Sequence, residues 1–220
     1  MCVIVVFVGP PGAGKGIQAK RVAASRGLRH VSTGELLRDA VEEGTDLGRE
    51  ASRQLNAGRL VPDDVMLALI DELLEGGSQD RGYVFDGFPR TVPQAEGFDT
   101  LLAKRGAGID WVVLVDVDRK TAEARLLSRV TCPSCGATMN LLSDPPRVEG
   151  TCNACGGKLE VRSDDSVGVI EARFEQYERL TRPLVDYYES RGKLLRIDGS
   201  ASVADVEKAV NESIDAAMGG

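Results

Sequence analysis

Three short apolar runs stand out along the chain: "CVIVVFV" from Cys2, "GYVFDGFPR" around Val84, and "WVVLVDVD" from Trp111. Between them lie longer stretches whose apolar positions recur at helical spacing. Continuous apolar runs of this length read as parallel strands buried on both faces, and their alternation with helices predicts a wound α/β sheet. The first run enters a glycine-rich turn, and a helix is expected from within that turn to about Ser25. A short strand around His30 then leads to "STGE", where Ser32 and Glu35 have the spacing of a capping box. Two more helices should follow, the second opened by "VPDD", with Pro62 at its first position and acids in its first turn. After the third run a helix is expected through Arg125 and Arg129, which places them four apart on one face. A long helix should start near Val167 and kink or break at Pro183, before a last strand, "KLLRID", and a terminal helix.

The texture changes from Val130 to Asp165, where four cysteines, two adjacent prolines and several glycines replace helical periodicity. That segment reads as a small inserted module. The 220 residues suffice for one globular domain with inserts, or for two small domains. At 42% hydrophobic and 28% charged residues the composition suits a core-forming soluble chain. The longest apolar run, "VIVVFV", is too short to span a bilayer. No basic segment precedes it, so a buried strand fits better than a signal-peptide core, and a cytoplasmic protein is expected. A net charge of −7 argues against broad binding to nucleic acid or anionic membrane. The cations comprise 20 Arg and 7 Lys. Arginine suits bidentate phosphate recognition, although a G+C-rich genome gives the same bias, so position has to decide which arginines matter.

Residues 9–18, "GPPGAGKGIQ", satisfy G-x-x-x-x-G-K between a predicted strand and helix. In that context the backbone N–H groups of Gly12, Ala13, Gly14, Lys15, Gly16 and Ile17 would point at nucleotide phosphates. Lys15 would reach the β- and γ-phosphates. The Ser or Thr that often follows the lysine, and holds magnesium, is replaced by Gly16. A second acid is then needed at the end of a neighbouring strand, and Asp86 fits. The competing reading of Asp86 on its own is a strand-end residue capping the next turn. No N-K-x-D occurs, which weakens a GTPase reading.

Cys132, Cys135, Cys152 and Cys155 form C-x2-C and C-x2-C separated by sixteen residues, a structural zinc spacing. Four thiolates leave no open coordination position. Iron fits the same ligand set, and disulfides are disfavoured in a reducing compartment. A zinc ribbon could also bind nucleic acid, but Val130 to Asp165 holds three basic residues against five acids and no aromatic. A structural cross-link within the module is the better role. His30, the only histidine, Cys2 and Trp111 carry no catalytic signal.

"GPPGAGKG", "STGELLR", "GRLVPDD", "DGFPRTVPQAE", the cysteine module and "VRSDD", in that order, resemble the adenylate kinases along essentially the whole chain. The four cysteines resemble those of the zinc-bearing bacterial members with a long lid. The resemblance implies a P-loop nucleoside monophosphate kinase fold: a five-stranded parallel sheet flanked by helices, with NMP-binding and lid inserts. It implies a core of 1–31, 62–127 and 166–220, an AMP-binding insert of 32–61 and a zinc-binding lid of 128–165. The implied reaction moves a phosphoryl group from MgATP to AMP, giving two ADP, with Mg²⁺ and structural Zn²⁺ as cofactors.

Residue by residue, the resemblance makes Thr33, Arg38, Arg59, Leu60, Val61, Gly87, Phe88, Pro89, Arg90 and Gln94 the AMP pocket, with Arg162 and Arg173 at its phosphate. Gln94 offers the donor and acceptor that an adenine edge needs. Arg90, Arg125, Arg129, Arg162 and Arg173 would gather around the transferring group with Lys15 and Asp86. Arg125, Arg129, Thr138 and Met139 would join the phosphate loop in holding ATP. Asp164 and Asp165 match acids that help the lid close. By spacing alone, Arg125 and Arg129 read equally as a solvated basic face. Three positions depart from the family pattern: Ile17 stands for Thr, "SVGV" follows "SDD" where acids and a Thr are usual, and Met139 stands for an aromatic. A monomer is expected. The rival readings are a kinase for another nucleoside monophosphate and a zinc-containing nucleotide-binding protein without turnover.

Overall fold

The computed structural model describes residues 2–76 and 81–219. The expected core ranges therefore include a few positions, 1, 77–80 and 220, that lie outside the described residues. Five parallel strands form the main sheet: β1 (Val3–Val8), β2 (Arg29–Ser32), β3 (Gly82–Asp86), β4 (Trp111–Asp116) and β7 (Leu194–Asp198), in the order β2-β3-β1-β4-β7. The apolar run of β1 is central, and Ile4, Val5, Val6, Phe7 and Val8 are all buried. Side chains alternate across a strand, so Val5 and Phe7 pack on one face while Ile4, Val6 and Val8 pack on the other.

One face is covered by α1 (Lys15–Arg26) and α9 (Val203–Met218), whose Ala19, Val22, Val210 and Ile214 meet Val5, Phe7 and Val113. The opposite face carries α2 (Thr33–Glu42), α3 (Asp46–Asn56), α4 (Asp63–Gly76) and α5 (Val92–Ala103), together with the later α8 (Pro183–Glu189). The strand and helix pattern read from the sequence holds, with α5 added. Thr91 caps its start, accepting the N–H of Gln94 at 3.1 Å.

The capping box at α2 is half formed. Ser32 accepts the Glu35 N–H at 3.3 Å, but the Glu35 carboxylate turns to Lys20 at 2.7 Å. Pro62 stands one residue before α4 rather than at its first position, and its carbonyl accepts the Met66 N–H at 3.1 Å.

One expectation fails at α6 (Arg119–Leu127). The helix stops before Arg129, which begins β5 (Arg129–Thr131), so Arg125 and Arg129 do not share a helical face. The end is set from outside the helix. Asn140, at the end of β6 (Thr138–Asn140), donates to the Arg125 carbonyl at 2.9 Å, and Ser128 turns back onto the Ala124 carbonyl at 2.7 Å. The Asn140 bond gives the Arg125 carbonyl, near the end of α6, a partner from outside the helix, while Val130 is drawn into a separate small core.

That core consists of Val130, Cys132, Met139, Cys152 and Leu159, under the antiparallel pair β5–β6. Five buried side chains are few for an independent fold, and small modules of this kind rely on a staple. The chain returns through a 3₁₀ turn, Ser163–Asp165, into α7 (Val167–Gln176). Ser166 gives no side-chain cap there. The expected break before Pro183 is a π turn, Tyr177–Thr181, in which the Arg182 N–H reaches back to the Tyr177 carbonyl at 2.8 Å. Pro183 has no N–H to continue the ladder. Among the described residues no helix is long and apolar enough to cross a membrane.

Candidate active site

The chain leaves the centre of the sheet after β1, at the point where its connections diverge to either side, which is where open α/β sheets bind ligands. Gly12 and Gly14 lie at φ 81° and 91°. At Gly12 a side chain would also strike the Ala122 carbonyl, with a Cβ only 2.3 Å from that oxygen. The N–H groups of Ala13 and Ile17 bond back to the carbonyls of Pro10 and Gly14, each at 3.2 Å, so the anion site that such a helix start offers rests on the neighbouring N–H groups of the loop and first turn. Ala13 itself is buried and Ile17 half-buried. The Lys15 ammonium donates to the carbonyls of Gly9 and Pro10, each at 2.7 Å. Burial holds it far below the usual lysine range, at about 7; the nearby Asp86 opposes this, and Arg90, Arg173 and Arg129 reinforce it. The residue as a whole is half-buried.

Asp86 ends β3 directly beside β1, paired in register with Phe7 and Ser32. Its Oδ2 faces Gly16 so closely that a Cβ there would sit 3.0 Å away. The residue after Lys15 therefore has no side chain because the carboxylate uses that space.

Arginines converge on the same cleft from separate elements. Arg129 of β5 donates to both oxygens of Asp165, at 2.7 and 2.5 Å. Arg162 pairs with both oxygens of Asp164, at 2.8 and 2.7 Å. Arg173 of α7 bridges the two acids, reaching Asp165 at 3.1 Å and the Asp164 carbonyl at 3.2 Å. Burial and the charge of Arg129 push Arg173 down to about 10. Burial pushes Asp164 up, but the Arg162 guanidinium and its hydrogen bonds outweigh that and hold it at about 2. Arg38 and Arg90 are also lowered, first by burial; Arg162 adds to the effect at both. Lys15, Arg38, Arg90, Arg129, Arg162 and Arg173 thus feel one another's charge, and Asp86, Asp164 and Asp165 offset part of it. Such a concentration of cations suits a polyphosphate. Arg125 lies apart, donating to the carbonyls of Gly199 and Ser200 at 2.7 and 3.3 Å after β7.

The positions expected to hold a second nucleotide line the other side. Thr33 is buried and donates to the Gly87 carbonyl at 2.9 Å, fixing the turn after β3. Arg90 Nε donates to the same carbonyl at 2.7 Å. The Phe88–Pro89 peptide is cis. The Phe88 ring points away from the cleft into the core, 5.1 Å from Phe98 centre to centre, so any contact it offers a ligand comes from its backbone. Gln94 is buried, its amide held between the Arg90 N–H and Asp63. Arg59 is exposed and Leu60 half-buried, and Val61 is buried. Leu60, Val61 and Arg59 border a cavity of about 760 Å³ between α3, α5 and α7. Asp63 was read from the sequence only as an acid in a helix's first turn; its bond to Gln94 follows from packing.

In the inserted module the four cysteines are unbridged and their sulfurs lie within 4.8 Å of one another. The Cys132–Cys155 and Cys135–Cys152 sulfur pairs are 3.5 and 3.6 Å apart. A tetrahedral zinc with Zn–S of about 2.3 Å needs edges of about 3.8 Å, so the set fits a closed site. Gly157 is packed against it, a Cβ there lying 3.1 Å from Cys132 Sγ. Thr138 is half-buried on β6, and the Met139 side chain faces the module's own core rather than the cleft.

A phosphate loop at the sheet's switch point, opposite a strand-end acid and under converging arginines, defines a phosphoryl-transfer kinase of the mononucleotide class. Residues 7–193 match the family model described as adenylate kinase. The chain is 45% identical to the adenylate kinase of Syntrophobacter fumaroxidans over 199 residues, covering 90% of this chain and 93% of that protein. It is 42% identical to that of Carboxydothermus hydrogenoformans over 95% of this chain and 98% of the relative. For Archaeoglobus fulgidus the figures are 40%, 96% and 97%. The chain belongs to the adenylate kinase family. Neither a kinase for another nucleoside monophosphate nor a nucleotide-binding protein without turnover is favoured by these relatives.

Proposed function

We infer that the protein transfers the terminal phosphoryl group of MgATP to AMP, reversibly, giving two ADP. The observation that carries this reading is the convergence of Arg90, Arg129, Arg162 and Arg173 on the cleft beneath Lys15. Phosphoryl transfer asks a protein chiefly to align two phosphates and to spread positive charge around the moving group. The first-turn amides of α1 and Lys15 would bind the β- and γ-phosphates of the donor. Arg129, Arg162 and Arg173, whose reach is set by Asp164 and Asp165, would meet the equatorial oxygens and the acceptor phosphate. Arg125 would serve the donor side from beside Gly199. When bound with ATP, Mg²⁺ would neutralise charge on the phosphates, and Asp86 would hold its water shell. Thr33, Gly87, Arg90 and Gln94 would seat AMP, with Arg38 at its phosphate and Arg59, Leu60 and Val61 along its flank.

On this reading residues 1–31, 62–127 and 166–220 form the core, 32–61 the AMP-binding insert and 128–165 the lid. Zinc held by Cys132, Cys135, Cys152 and Cys155 would make the lid move as one body and exclude water, which could otherwise accept the phosphoryl group. The protein is read as a cytoplasmic monomer that engages neither nucleic acid nor membrane. A coupled assay offering AMP, UMP, CMP and GMP with MgATP tests the acceptor: turnover should be fastest with AMP, and a faster reaction with another acceptor would overturn the assignment.

A further inference from the structure

Gln94 is more constrained than a residue that merely offers an amide. Its Nε2 donates to Asp63 Oδ1 at 2.7 Å, and its Oε1 accepts the Arg90 backbone N–H at 2.8 Å. Asp63 Oδ1 also accepts the Thr91 hydroxyl at 3.1 Å, while that hydroxyl accepts the Gln94 backbone N–H at 3.1 Å. The hydroxyl already receives a proton from Gln94, so its own proton goes to Asp63, and the carboxylate serves as acceptor to both neighbours. Only one orientation of the Gln94 amide satisfies the set. Turning it over would set its oxygen against a carboxylate and its NH₂ against an N–H, with the residue only 2% exposed and little water to compensate.

We propose that Asp63 is a specificity-determining positioning residue: it fixes which way round the Gln94 amide meets the base, and so favours a 6-aminopurine over a 6-oxopurine. One N–H and one oxygen lone pair of the amide remain for a ligand, in a set order. Adenine presents an N6–H donor beside the N1 acceptor. Guanine and hypoxanthine present the O6 acceptor beside an N1–H donor, the reversed pattern, which a turned amide could accept. Discrimination arises because a site built for one hydrogen-bond pattern leaves polar groups without partners when offered the other. Asp63 touches no base itself; it acts through Gln94. The inference rests on the reading that the acceptor base faces Gln94.

The test compares kcat/KM for AMP and GMP in the wild type, Asp63→Ala, Asp63→Asn, Gln94→Ala and the double variant. Asp63→Ala should lower the AMP-to-GMP ratio at least about tenfold, equivalent to about 1.4 kcal/mol, chiefly through KM for AMP, with KM for ATP unchanged. Asp63→Asn, whose amide oxygen can take the carboxylate's place, should recover much of the ratio. Adding Asp63→Ala to Gln94→Ala should change the ratio no further, since nothing remains to orient. An unchanged ratio in folded Asp63→Ala, beside a collapsed one in Gln94→Ala, overturns the inference and leaves the reading of the base pocket intact. An unchanged ratio in Gln94→Ala overturns that reading itself. If Asp63→Ala does not fold, NMR of the wild type decides: one Gln94 Nε2 proton should be protected from solvent exchange, and two freely exchanging protons contradict the proposal.

Discussion

Asp165, whose side chain has no solvent exposure, receives Arg129 through both carboxylate oxygens, at 2.7 and 2.5 Å. The same carboxylate takes Arg173 at 3.1 Å. Two arginines from distant elements are thereby held in one orientation before any nucleotide arrives, which is how a site spends its organisation energy during folding rather than during reaction. Asp165→Ala should lower stability by about 3 kcal/mol, since it leaves the largely buried Arg129 guanidinium without its carboxylate and Arg173 with Asp164 alone. It should also lower kcat about a hundredfold, the scale of a misplaced catalytic group. Denaturant melts and steady-state kinetics report both, and a folded variant with wild-type kcat would show that the two arginines need no such anchor.

Lys15 makes the ligand-free protein's stability depend on pH in an uncommon direction. Its folded pKa of about 7 lies below the usual lysine value of 10.5. Between those values the unfolded chain binds the extra proton, so this group's contribution to stability rises with pH across the window. The burial penalty is complete at and below about pH 7 and is gone by about 10.5. Lys15→Met should accordingly be more stable than the wild type at pH 7, by a margin that shrinks toward pH 10. ATP phosphates restore the charged lysine, so ATP binding at pH 8 should take up a proton. Calorimetry in buffers of different ionisation enthalpy measures that uptake, and none would mean Lys15 is already charged there.

Gly16 leaves room for Asp86. Gly16→Ala would put a methyl group 3.0 Å from Asp86 Oδ2, forcing the carboxylate to move by a few tenths of an ångström. Turnover should drop about tenfold and the Mg²⁺ concentration for half-maximal rate should rise, with thermal stability little changed. An unaltered magnesium dependence would detach Asp86 from the metal's water shell.

The cysteine cluster should bind one zinc per chain. Cys132→Ser or chelation should release it and open β5–β6 to hydrogen exchange while β1 and β3 stay protected, because the small core of the module has little else to hold it. Stability of the module should fall by at least about 3 kcal/mol. Retained protection after complete metal removal would make the metal incidental.

The main sheet was legible because buried parallel strands leave continuous apolar runs, as "VIVVFV" and "WVVLVD" do. The phosphate loop was legible because its chemistry is local: the glycines, Lys15 and the start of α1 are consecutive. What was misread depends on distant partners. Arg129 looked helical from its spacing to Arg125, but a side chain from β6 ends that helix. Met139 and Phe88 occupy positions suited to ligand contact by pattern, yet each side chain serves a core that only the fold defines. Asp63 gave no signal beyond its place in a helix's first turn, because its partner lies thirty-one residues away.

The most direct test of the central claim is to follow all phosphorus species by ³¹P NMR when the protein is given equimolar AMP and MgATP. Two ADP should form for each AMP consumed, without inorganic phosphate, and the same mixture should be reached starting from MgADP alone. Release of inorganic phosphate with AMP unconsumed, or no change in any species, would contradict it.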